Sequence, residues 1–274
     1  MSSSLPIAAL AAANFKPVVV DCINACTAVT DDEVKRCVDA LQIQINRDFG
    51  PIWEAGLTTK LNFISKASGK KGGSTTRWLT FLDNSDVAGA LGYHDLTSSG
   101  RPLGKVFVKT NMDDGASWTV AASHELLEMT ADPEINWSAQ NPKDGKFYAL
   151  EVGDPVEADN YGYEINGIKV SNFVYPAYFD AYKKGRKLDF MGQVLLPYQL
   201  LPGGYILVFD TKSSDGWQQA FGEGTKMRYS MRPAVGSRRE KRRIPRTHWL
   251  ESRPEKGEAE KMEGTGDADF TEIG

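Results

Sequence analysis

The stretch from Thr30 to Phe49 constrains the fold of this chain more than any other. Val34, Val38, Leu41, Ile45 and Phe49 fall at helical spacing, so an apolar face about four turns long has to be buried against something. Thr30, Asp31 and Asp32 offer an N-cap, and Gly50-Pro51 offers an end. Ahead of this helix, Phe15 to Cys22 is rich in β-branched residues and reads as a buried strand. Behind it, Leu57 to Ser65 alternates, with Leu57, Thr59, Leu61 and Phe63 on one face. Trp78 to Leu82 and Gly104 to Thr110 read as further strands, so the pattern is that of an α+β chain.

A Gly/Asp-rich turn follows, and Ser117 is placed to cap a helix that carries Ser123-His124-Glu125-Leu126-Leu127-Glu128. Residues four apart share a helix face, so His124 and Glu128 can grip one cation while Glu125 points to its side. This is the mechanical content of H-E-x-x-H, with Glu128 in place of the second His. A carboxylate binds zinc at about 2.0–2.2 Å, so the exchange keeps a site open. The plainer alternative is a solvated helix face carrying two Glu.

Strand, long helix, three strands and a motif-bearing helix is the order that the N-terminal half of a zincin metallopeptidase shows, and the chain resembles the metzincins in particular over residues 15–135. The resemblance implies a mixed, twisted sheet, one zinc ion, and peptide hydrolysis with Glu125 as general acid and base. It also implies that Val106, Phe107 and Val108, in the strand before the motif helix, form a sheet edge that receives extended substrate. Metzincins continue with a Gly and a third ligand, where this chain has Ala131 and Glu134. A tyrosine stabilises the oxyanion in several zincins, and Tyr175 is the candidate here. Because Glu128 leaves the metal less positive than a second His would, an inactive site is the competing outcome.

The third ligand is open. The three histidines are His94, His124 and His248; His94 and His248 read as structural or solvated. Asp132 lies about 12 Å along the helix from His124, and reaches the same metal only if the helix breaks at Pro133. Glu151, in the stretch Ala149 to Glu157, is a charge inside an otherwise strand-like apolar run, where burial demands a partner. Some zincins also take a Glu ligand twenty or more residues downstream, so Glu151 is preferred to Asp154 and Asp132. An alternative is a calcium or turn-stabilising cluster of Glu151, Asp154 and Glu157.

Tyr161 to Tyr175 reads as a hairpin turning at Asn166-Gly167, and Gly203 to Phe209 as a late strand. These place a strand- and loop-rich C-terminal subdomain at 136–236. Residues 237–246 hold six Lys/Arg against one Glu, and 251–274 three against eight acids, which marks a polar tail suited to solvent or to a protein partner. A formal charge of −4 calls for no nucleic acid. Cys22, Cys26 and Cys37 read as reduced, buried thiols, as expected in the cytoplasm or in a particle assembled there. No signal peptide or membrane span is evident. The segments Asp83 to Asp86, Gly89 to His94, Ser123 to Pro133 and Glu151 to Pro155 together resemble uncharacterised bacterial and bacteriophage proteins. That resemblance implies, as the alternative to an enzyme, a catalytically inactive zincin-fold structural protein such as a virion component.

Overall fold

Val18–Asn24 forms β1, whose inward residues Val20 and Cys22 are fully buried. The structure is a computed structural model that describes residues 17–223 except 55–57, 87–89, 98, 184 and 186. Phe15, Leu57, His248 and the polar tail from Ser237 onward lie outside the described residues.

Helix α1 (Asp31–Ile43) starts at Thr30, whose side chain accepts from the Glu33 backbone N–H while the Glu33 carboxylate accepts from that of Thr30. This capping box satisfies two of the four donors that a helix start leaves open. The expected stop at Gly50-Pro51 is not a stop. The helix widens to a π turn over Gln44–Phe49 and runs one further turn, Gly50–Trp53. Pro51 lacks a donor and crowds the carbonyl four residues back, and the widened turn just before it relieves that conflict.

The next elements are β2 (Thr59–Ile64), β3 (Arg77–Leu82), β4 (Gly92–Leu96) and β5 (Pro102–Phe107), and the sheet order is β2-β1-β3-β5-β4. Its first four members run parallel and β4 pairs antiparallel on the outside of β5. Two sequence expectations need correction here. Val106 and Phe107 lie in an inner strand, and Val108 begins a short helix, α2 (Val108–Asp113); all three are fully buried. The sheet edge next to the motif helix is therefore β4, an element the sequence reading missed.

The motif helix is α3 (Trp118–Ala131), capped by the Ser117 hydroxyl, which accepts from the Val120 N–H. It ends before Pro133, as that residue's constraint on Asp132 requires. After it come β6 (Ser138–Gln140), β7 (Phe147–Ala149), the hairpin β8 (Tyr163–Ile165) and β9 (Ile168–Val170), β10 (Tyr205–Phe209) and β11 (Trp217–Phe221). The hairpin turns at Asn166 and Gly167, both at positive φ. A second sheet has the order β11-β10-β7-β6. One apolar core joins the two halves, from Val20, Leu41 and Phe49 through Leu126 and Leu127 to Phe173 and Ile206. A smaller cluster of Ile23, Ile64, Trp78 and Leu103 covers part of the other sheet face.

Cys22, Cys26 and Cys37 are free and buried, as their spacing suggested. Among the described residues, no helix is long and apolar enough to cross a membrane.

Candidate metal centre

Helix α3 is buried on nearly every side, from Thr119 to Ala131, so its polar side chains have to find partners within the protein. The Ser123 hydroxyl donates to Gln44 Oε1 in the π turn and accepts from the Ser171 N–H. A solvated face is thus excluded for His124, Glu125 and Glu128, which are 6%, 5% and 0% exposed.

These side chains meet residues from two other segments, β4 and residues 151–154. His124 Nε2 lies 3.2 Å from Glu128 Oε2 and 3.1 Å from Asp154 Oδ1. His94, delivered by β4, places Nδ1 3.2 Å from Glu125 Oε2 and 3.3 Å from Glu128 Oε2, and Nε2 3.4 Å from Glu151 Oε2. Its neighbour on β5 is Gly104, where a Cβ would stand 2.8 Å from the Leu79 side chain and 3.7 Å from Glu125 Cβ. A bare backbone there lets α3 settle onto the sheet.

Glu128 is oriented from the other side. Its Oε1 accepts from the N–H groups of Gly153 and Asp154, at the start of a 3-10 turn spanning Asp154–Val156. Oε2 is thereby turned towards the two imidazoles.

The separations bear on what the cluster holds. Elsewhere, ion pairs with one partner buried are short, Lys105–Asp86 at 2.7 Å and Arg47–Asp48 at 2.6 Å, whereas the more exposed Lys146–Asp210 and Lys183–Asp180 stand at 3.4 and 3.7 Å. Within the cluster, nitrogen and oxygen stand 3.1–3.4 Å apart. Charge-assisted hydrogen bonds lie near 2.7–2.9 Å, whereas ligand atoms at about 2.0–2.1 Å from one tetrahedral ion sit about 3.3 Å from each other. Buried His, Glu and Asp groups able to hold a divalent cation are thus present. His124 Nδ1, Glu128 Oε2 and Asp154 Oδ2 are buried with no hydrogen-bond partner among the described residues.

The sequence candidates divide as follows. His124, Glu128, Glu151 and Asp154 are brought together, and Glu125 sits beside them. Asp132 is not. Its carboxylate accepts from the N–H groups of Asn136 and Trp137 and closes the turn after α3. Tyr175 lines a separate surface pocket with Pro176, Ala177, Asp180, Lys183 and Lys187, and its ring packs at a tilt against Phe173. It is a packing residue, and the oxyanion role is withdrawn. His94, read from sequence as structural or solvated, lies at the centre of the cluster. Its signal in the sequence was its rarity, as one of three histidines.

His124 and Glu125 also border a cavity of about 330 Å³, lined further by Leu91, Gly92, Val120, Tyr205 and Phe221. His94, Glu128, Glu151 and Asp154 lie behind it.

Compared with protein-family models, curated proteins and solved structures, the chain shows no match.

Burial works against charge on His94 and His124, but the surrounding carboxylates outweigh it and hold both imidazoliums well above the ordinary histidine range. Burial, reinforced by Glu128, raises Asp154 well above the carboxylate range. Burial acts to raise Glu128 too, but the two imidazoles pull it well below. The raised groups stabilise the metal-free fold below their unfolded values, about 6.5 for His and 3.9 for Asp, and that stabilisation is lost as pH rises through their folded values. Glu128 acts oppositely, losing its contribution as pH falls through its own. A cation needs neutral imidazoles and ionised carboxylates, so its binding displaces those protons. The rise in Tm on adding zinc is therefore expected to grow from about pH 6.5 to about pH 8.5. A shift that stays flat or shrinks across thermal melts in that range contradicts this.

Gly153 supports the same cluster by close approach. A Cβ there would stand 2.6 Å from His124 Nδ1 and 2.9 Å from its Cε1. Gly153→Ala is expected to cost about 1–3 kcal/mol in urea unfolding, through overpacking of the added Cβ against the His124 ring. Unchanged stability and metal content would show that the turn gives way freely.

Proposed function

We propose that this chain is a zincin-like zinc metallopeptidase, in which His124, Glu128 and Asp154 hold zinc and Glu125 is the general base. The observation that carries the reading is the placement of His124 and Glu125, sequence neighbours, on the wall of a cavity, with the remaining ligands closed off behind them. The succession of strand, long helix, strands and motif helix supports the fold reading, as does an antiparallel edge strand beside that helix. An imidazole ligand favours zinc over calcium, which prefers six to eight oxygens.

Zinc bound here supplies a Lewis acid and a water acidic enough to lose its proton near neutral pH. The Glu125 carboxylate takes that proton and passes it to the leaving amine. His94 Nδ1, 3.2 Å from Glu125 Oε2, holds the carboxylate in place. Leu91 and Gly92 open the edge strand β4 onto the cavity, so an extended peptide pairs along β4 with its scissile bond over His124 and Glu125.

Incubating the zinc-loaded protein with a proteome-derived peptide library, and reading new termini by mass spectrometry, tests this. Zinc-dependent cleavage that a chelator abolishes is expected. Bound zinc without any cleavage would overturn the peptidase reading in favour of a structural or interaction protein with the same centre.

A further inference from the structure

His124, Glu128 and Asp154 bring one ligand atom each within 4.8 Å of one another, and His94, Glu128 and Glu151 do the same. Glu128 alone belongs to both sets. Its Oε2 lies 3.2 Å from His124 Nε2 and 3.3 Å from His94 Nδ1. Two backbone N–H groups hold Oε1, which keeps Oε2 turned between the rings.

We propose that the centre holds two divalent cations bridged by the Glu128 carboxylate. The first sits at His124 and Asp154 behind the cavity; the second sits deeper, at His94 and Glu151. This rests on the metal-centre reading above and adds an ion to it.

Coordination number and access both point this way. Tetrahedral zinc takes four ligands, and a catalytic ion keeps one position open, so three side chains satisfy it. Five side chains stand in the two sets, each at least 94% buried. The sets also differ in access. His124 borders the cavity, whereas neither His94 nor Glu151 does. The outer ion is thus the one open to substrate, and the inner ion is set back from the cavity. Through their shared carboxylate the inner ion draws charge from Glu128 and makes the outer ion more positive. It thereby offsets the weakening that an anionic ligand in place of a His imposes.

Zinc titration of the full, metal-stripped chain, followed by calorimetry and elemental analysis, decides the point. Wild type is expected to saturate at two equivalents. Glu151→Gln and His94→Gln are each expected to saturate at one, with the circular dichroism of the fold retained. A wild-type count of one overturns the second ion and leaves the first standing, and a count of zero overturns the metal centre itself. Loading with Mn(II) gives a check that needs no variant. A bridged pair shows an exchange-coupled electron paramagnetic resonance spectrum, and a spectrum of isolated ions only would overturn the bridge.

Discussion

Replacing Glu128 with alanine is expected to strip the protein of bound metal and to cost about 3–5 kcal/mol of stability, the usual penalty for breaking a buried ion pair from one side. The size of the effect follows from position. Glu128 is fully buried, faces both imidazoles through Oε2, and is the acceptor for the N–H groups of Gly153 and Asp154 through Oε1. Removing it orphans two donors and leaves His94 and His124 without their common counter-charge. Glu128→Gln separates the contributions, because the amide keeps shape and Oε1 while losing the negative charge. It is expected to lose metal as fully as the alanine variant but to retain more of the stability. Urea unfolding with elemental analysis of both variants measures this. A folded Glu128→Ala protein with wild-type metal content would show that the cluster is an ion-pair network and nothing more.

Glu125→Gln carries the second large effect, and it falls on rate. The Glu125 side chain sits on the cavity wall beside the ligands and belongs to neither ligand set. Turnover is expected to fall by about 10²–10⁴-fold, the range associated with a positioned acid–base group. Zinc content and KM should change little. A KM effect at unchanged kcat would make Glu125 a substrate contact and not the base.

Local pattern carried much of this structure. The helix from Thr30, the cap at Ser117, the break at Pro133 and the Asn166-Gly167 turn each follow from a few neighbouring residues, and those signals are short-range by nature. Glu151 and Asp154 stood out because a carboxylate in an apolar run has to be accounted for by a partner. Strand order was not legible. Val106 was placed at an edge because nothing local reveals that the five-residue β4 pairs outside it. His94 was lost with that strand, since its place in the cluster depends on antiparallel register with Gly104 and on packing against a helix some thirty residues away in sequence. Asp132 shows the converse: Pro133 does end the helix, but the freed carboxylate closes the turn it sits in.

Crystals of the zinc-loaded protein, measured on either side of the zinc absorption edge, locate the ion. An anomalous peak is expected among His124 Nε2, Glu128 Oε2 and Asp154 Oδ1. Zinc elsewhere on the molecule, with no peak in this cluster, would contradict it.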